Sequence, residues 1–171
     1  MNPIKKRKIR ILLTRFPDGA SRAMALWTRF RYCHASIGLE EDPNTFYSFV
    51  FKGFIEEKIS RYVQAGRGHC PCQLYELETS EKVYAALKER IASYVERKKE
   101  LRYTKLGLIL GLMQIPYKKK SHYVCSQFVA EVLKKSEAVA LQKRTCLYRA
   151  KDLCKLPGLR LIFQGPLRSV Q

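Results

Sequence analysis

The sequence predicts an α+β fold in which a mainly antiparallel sheet packs against helices. Three observations carry the prediction. The segments "CHASIGLEE" and "TFYSFVF" flank the turn "EEDPN" and read as the two strands of an antiparallel hairpin. The segment "TSEKVYAALKERIASYVERKKE" repeats apolar residues every four positions, at Val83, Leu87, Ile91 and Val95, which is the stripe of an amphipathic helix. Strands and helices are partly segregated along the chain, as in α+β proteins.

Taken in order, "KIRILLTRF" opens the fold as a strand that ends at "PDG", and "ASRAMALWTRF" follows as a short helix. In the next strand Cys33, Ala35, Ile37 and Leu39 share one side, while His34, Ser36, Gly38 and Glu40 share the other. The histidine therefore stands on a small, polar face. After the hairpin, the basic loop "QAGRGHCPC" leads into a strand at "QLYELE", and the long striped helix follows as scaffold. The apolar segment 101–114 reads as a further helix, ended by Pro116. "YVCSQFVAEVL" is the next helix, and "LRLIFQG" is the last strand. No internal repeat or low-complexity linker interrupts the chain, so residues 1–171 are expected to form one domain.

With 46% hydrophobic residues the chain has the apolar surface for a real core, which argues against intrinsic disorder. Its 33 Lys and Arg against 15 Asp and Glu give a formal net charge of +18. Such a field attracts polyanions, anionic surfaces and anionic small molecules without ranking them. The N-terminal apolar run, Ile11 to Leu13, is shorter than the roughly 7–15 residues of a secretory signal core. "LGLILGLMQIP" is shorter than the ~20 residues a membrane-spanning helix needs. Six cysteines at irregular spacing in a chain of ordinary core-forming length read as reduced thiols, so a cytoplasmic location is expected.

Cys125 lies three and four residues before Phe128 and Val129, which places its sulfur on the inward stripe at the start of a helix, with Ser121 or His122 before it as caps. Unpaired N–H groups and the positive end of the helix dipole favour a thiolate there and can stabilise an oxyanion. An unpaired cysteine is by itself an ordinary core residue. The histidine changes its meaning, because a thiol nucleophile needs a base within hydrogen-bond reach, however distant in sequence.

Set together, "ILLTRFPDGASRAMALWTRFRYCHASIGLEED", "FYSF" and "YVCSQFVAEVL" resemble the permuted papain-like amidase family related to NlpC/P60 and to the YiiX group, over about Ile9 to Leu133. In that family the histidine strand precedes the cysteine helix. The resemblance implies a circularly permuted papain-like fold, Cys125 as nucleophile and His34 as general base. The family also carries a third polar residue, often Glu or His, on the strand after the histidine strand, and matching the hairpins puts Ser48 there. Serine has no charge with which to stabilise an imidazolium, so Glu40 and Tyr47 stay open as alternatives, as does a degenerate site. The implied reaction is acyl transfer through a thioester on an amide or ester of a peptide, a small molecule or a lipid, the substrate being anionic if the surface charge guides it. Tyr123 and Tyr117 are candidate extra donors to the oxyanion.

No cofactor or metal is expected. "HCPC" offers His69, Cys70 and Cys72, with Cys146 and Cys154 further on, but its Cys-x-Cys spacing is not that of a zinc knuckle. "YKKKSH" and "KKRKIR" read as solvated basic runs, and the former lies just before Cys125. The competing reading is a non-catalytic basic module that binds nucleic acid or an acidic membrane, with Cys125 and His34 as packing. No nucleic-acid motif accompanies the charge.

Overall fold

The structure, a computed structural model, describes residues 6–170; the start of the basic N-terminal run lies outside the described residues. Alternating apolar residues make the first long strand, β1 (Lys6–Thr14), which sits inside the sheet. Helix α1 (Gly19–Thr28) starts where the Asp18 carboxylate accepts from the Ser21 N–H. The hairpin is present as β2 (His34–Leu39) and β3 (Thr45–Val50), and it continues directly into β4 (Gly53–Lys58). Two helical turns, Ile59–Tyr62 (α2) and 63–67, lead to β5 (Pro71–Ser80) and helix α3 (Glu81–Glu96). Then come β6 (Arg102–Tyr103), α4 (Lys105–Leu112), β7 (His122–Tyr123), α5 (Cys125–Lys135), α6 (Ala150–Leu153) and β8 (Leu159–Pro166).

Among the described residues the main sheet runs β4-β3-β2-β1-β5-β8 with every neighbouring pair antiparallel, and β6 and β7 form a separate parallel pair. Helix α5 lies over β2 and β3, and α3 packs on β1, β5 and α5. The observed class is thus α+β, an antiparallel sheet packed against helices. Ile9, Ile11 and Leu13 of β1 face this helical layer, where Phe128 of α5 meets Phe49, Phe54 and Tyr94. On the opposite side Leu12, Phe46 and Leu74 are covered by Ile59, Leu167 and Val170.

Both faces of the sheet are therefore covered around β2, and the small polar face of that strand, expected to hold the histidine, is buried along its length. Gly38 belongs to that closure, because a Cβ there would sit 2.8 Å from the Phe46 ring. The stripe of α3 also differs from the expected one: Tyr84, Leu87, Ile91 and Tyr94 are its buried residues, while Val83 and Val95 are only partly covered. Two tyrosine rings reach further into the core than the valines beside them and supply more apolar contact. No helix among the described residues is long and apolar enough to cross a membrane.

Candidate active site

Helix α5 begins at Cys125 itself, directly after β7. Its N-cap is Val124, whose side chain makes no capping hydrogen bond. The expected caps Ser121 and His122 lie too far upstream: Ser121 has a positive φ of 59° and His122 belongs to β7. With no side-chain cap, the first N–H groups of α5 stay available to other acceptors. The Ser126 backbone is one of the groups that favour a thiolate on Cys125.

β2 reaches the same point from the other side. Its ladder with β3 covers only Ile37↔Tyr47 and Gly38↔Phe46, so it has stopped before His34 and Ala35 are reached. The freed Ala35 peptide is used twice. Its N–H side favours a negative charge on the sulfur of Cys125, and its carbonyl accepts from Ser48 Oγ at 2.6 Å. A further weak contact runs from the thiol to the Cys33 carbonyl at 4.0 Å.

The structure brings His34 and Cys125 to one cleft, near enough for each to shift the other's titration. His34 Nε2 is taken by Glu57 Oε1 at 2.5 Å, which leaves Nδ1 for the sulfur. Glu57 stands on β4 opposite Phe46, on the same side of the sheet as His34, and it is buried. Tyr62 Oη adds a long hydrogen bond of 3.4 Å to the same carboxylate oxygen. The Phe16 ring packs 5.7 Å from the imidazole. The order sulfur, imidazole, carboxylate is thus built from α5, β2 and β4.

Ser48 does not occupy the place expected of it. Its hydroxyl is committed to the Ala35 carbonyl, and the ring nitrogen that an orienting group would hold already belongs to Glu57. The alternatives are also elsewhere: Glu40 pairs with Arg7 and accepts from the Lys8 N–H, and Tyr47 stacks on Phe54. Glu57 escaped sequence analysis, which assigns no element to "GFIEEK". The segment forms β4, an edge strand of the sheet, where exposed charges such as Glu56 are normal, and its apolar pair Phe54 and Ile55 followed by paired glutamates gives no strand alternation that would have marked Glu57 as facing inward.

Burial in this setting works against a charged sulfur. The hydrogen bond and positive charge of His34, with the N–H groups of Ala35 and Ser126, outweigh it and hold the Cys125 thiol below its usual range. Burial likewise opposes an imidazolium at His34. The charge of Glu57 and the contact with Cys125 overcome it and raise His34 well above an ordinary histidine. The other shifted thiols move the opposite way: burial pushes Cys33, Cys70 and Cys154 up, and Cys72 up to about 12.

Cys125 and His34 open onto a cleft of about 660 Å³ lined also by Ser21, Lys52, Arg67 and Tyr103. Tyr103 stands close enough to the sulfur for the thiolate to help burial in raising its phenol. The two tyrosines anticipated as oxyanion donors are placed otherwise. Tyr123 packs between Phe49 and Tyr94, and Tyr117 lines a separate cleft with Lys134 and Arg144. Among the described residues no group of three His, Cys, Asp or Glu side chains is arranged to hold a metal ion, and "HCPC" does not meet Cys146 and Cys154 in one.

Among solved structures, the chain is similar to the metalloprotein yiiX from Escherichia coli O157:H7, with a TM-score of 0.57 at 14% identity, over 92% of this chain and 97% of that one. At that identity the likeness is one of fold. No family model and no curated protein sequence matches the chain.

Proposed function

We propose that the chain is a thiol-dependent hydrolase or acyltransferase on a circularly permuted papain-like fold, with Cys125 as nucleophile, His34 as acid and base, and Glu57 orienting His34. One observation carries the reading. The imidazole is held between a carboxylate and the only thiol among the shifted cysteines that its surroundings push down rather than up. Core packing needs none of this, and a buried ionisable pair costs several kcal/mol of desolvation for each charge unless its partners recover it. The fold likeness to yiiX supports the architecture, not the chemistry.

In this mechanism the Cys125 thiolate attacks the carbonyl carbon of an amide or ester entering the cleft, and the carbonyl π electrons move onto oxygen. The Cys125 N–H at the start of α5 and the Tyr103 hydroxyl are the oxyanion donors. As the tetrahedral centre collapses, the bond to the leaving nitrogen or oxygen breaks and the His34 imidazolium protonates that atom, leaving a thioester on Cys125. Neutral His34 then takes a proton from water or another acceptor as it attacks the thioester. The sulfur departs as thiolate and the imidazolium is restored. Glu57 holds the ring through Nε2 at each step.

Mass spectrometry after incubation with p-nitrophenyl butyrate tests the reading. The expected product is one hydroxylamine-sensitive butyryl adduct on Cys125, absent in Cys125→Ser and slow to form in His34→Ala. Adducts spread over several cysteines, or undiminished in His34→Ala, would overturn it.

A further inference from the structure

Helix α4 is turned inside out for a helix of a water-soluble domain. Its buried residues are Gly107 and Gly111, while Leu106, Ile109 and Met113 just beyond it are 52%, 55% and 55% exposed. The glycines cannot trade places with the large residues. A Cβ on Gly111 would stand 3.2 Å from the Cys146 carbonyl, and one on Gly107 would stand 2.5 Å from the Thr104 side chain that caps the helix. Close approach of the backbone therefore obliges α4 to present its apolar side outward. Across a crevice lined by Met24, Thr28, Leu108 and Leu112, α1 presents Leu26 at 81% and Trp27 at 67% exposure.

Apart from Asp18, which caps α1, the charge along these two helices is positive. From residue 19 to 39 the chain carries Arg22, Arg29 and Arg31 and no acid. From residue 101 to 130 it carries Arg102, Lys105 and Lys118–Lys120, again with no acid. An apolar patch containing a tryptophan and flanked mostly by cations matches the layered chemistry of a membrane surface, where apolar side chains enter the acyl boundary and cations meet lipid phosphates. A second copy of the chain would bring like charge against like charge. Nucleic acid would engage the cations and leave Leu106, Ile109 and Met113 in water.

We propose that the α1–α4 face is a docking surface for an anionic lipid bilayer. Cys125 also lines the crevice between the two helices, so the surface adjoins the candidate site, but the proposal does not rest on the reaction assigned there. Trp27 is the single tryptophan, so its emission reports on the face directly. The full chain is titrated with vesicles of phosphatidylcholine containing about one-quarter phosphatidylserine, and with phosphatidylcholine alone. The expected result is a blue shift and co-sedimentation with the anionic vesicles, both weakening as salt is added. Ile109→Ser with Met113→Ser lowers partitioning about tenfold or more, whereas Cys125→Ala partitions like the unaltered chain. All these positions of α4 are exposed, and an unchanged far-ultraviolet circular dichroism spectrum verifies that the double variant is folded. Unchanged emission with anionic vesicles overturns the proposal, as does full binding by the double variant. A blue shift produced by protein concentration alone would assign the face to a second copy. One produced by an RNA oligonucleotide and not by vesicles would assign it to nucleic acid.

Discussion

Replacing Glu57 by glutamine keeps the shape of the buried carboxylate and deletes its charge. The His34–Glu57 contact is 2.5 Å long and both side chains are buried. With charge centres about 4 Å apart and an effective dielectric of about 20, the attraction is about 4 kcal/mol, or about three pKa units as an upper bound. Opposite charges at this range shift pKa values by about 1–3 units. Glu57→Gln is therefore expected to lower the His34 pKa by about 1–3 units, which weakens the cationic partner of Cys125. The signs follow from the charges: thiolate forms as pH rises through the depressed Cys125 pKa, so a weaker imidazolium moves that midpoint upward. Iodoacetamide alkylation of Cys125, followed by mass spectrometry from pH 5 to 10, reads the midpoint. The neutral-pH rate should fall about 10–100-fold, corresponding to a rise of one to two units. Ser48→Ala serves as the contrast. It strips the Ala35 carbonyl of its donor, at a stability cost of about 1–3 kcal/mol, and leaves the midpoint close to that of the parent. A Glu57→Gln midpoint within about 0.3 unit of the parent, or a larger shift in Ser48→Ala, would refute the placement of Glu57 as the charge behind His34.

Three further outcomes are expected. His34→Ala removes the strongest influence favouring the thiolate while burial persists, so the Cys125 midpoint should climb above that of an ordinary thiol; a midpoint that stays depressed would mean the helix N–H groups suffice. Phe128→Ala, at a fully buried ring touching Phe49, Phe54 and Tyr94, should cost about 3–5 kcal/mol in urea unfolding, and a cost below about 1 kcal/mol would contradict the packing described. Glu41 is held down to about 2, burial opposing its charge and a hydrogen bond from Tyr84 overcoming that opposition. Its contribution is thus present above its unfolded pKa and lost as pH falls from about 4.5 towards 2. Acid unfolding of Glu41→Gln should show a flatter pH dependence across that window, and an unchanged slope would exclude the contribution.

The cysteine helix and the histidine strand were legible because each is a local pattern. Cys125 and Phe128 are separated by the helical three, and His34 alternates with Ala35 and Ile37 as a strand requires. The third side chain was not legible. It sits 23 residues from His34 on an edge strand whose charged residues resemble a loop, and the residue that the hairpin match selected, Ser48, faces a carbonyl instead. Similarly, the apolar segment 101–114 predicts a helix, but the helix covers only Lys105–Leu112 after the short strand Arg102–Tyr103, and nothing in its composition says which side faces the core. Contact with Cys146 and Thr104 decides that, by admitting glycine alone on the inner side.

Periodicity and composition alone therefore determined the α+β class, the strand and helix that carry His34 and Cys125, and the excess of positive charge, since each depends on residues a few positions apart or on no positions at all. Strand order, the early end of the β2–β3 ladder and the outward turn of α4 were decided by tertiary structure. These are choices between distant backbones competing for the same space, and they set which carboxylate meets the imidazole, which peptide N–H meets the sulfur and which apolar side chains remain in contact with solvent.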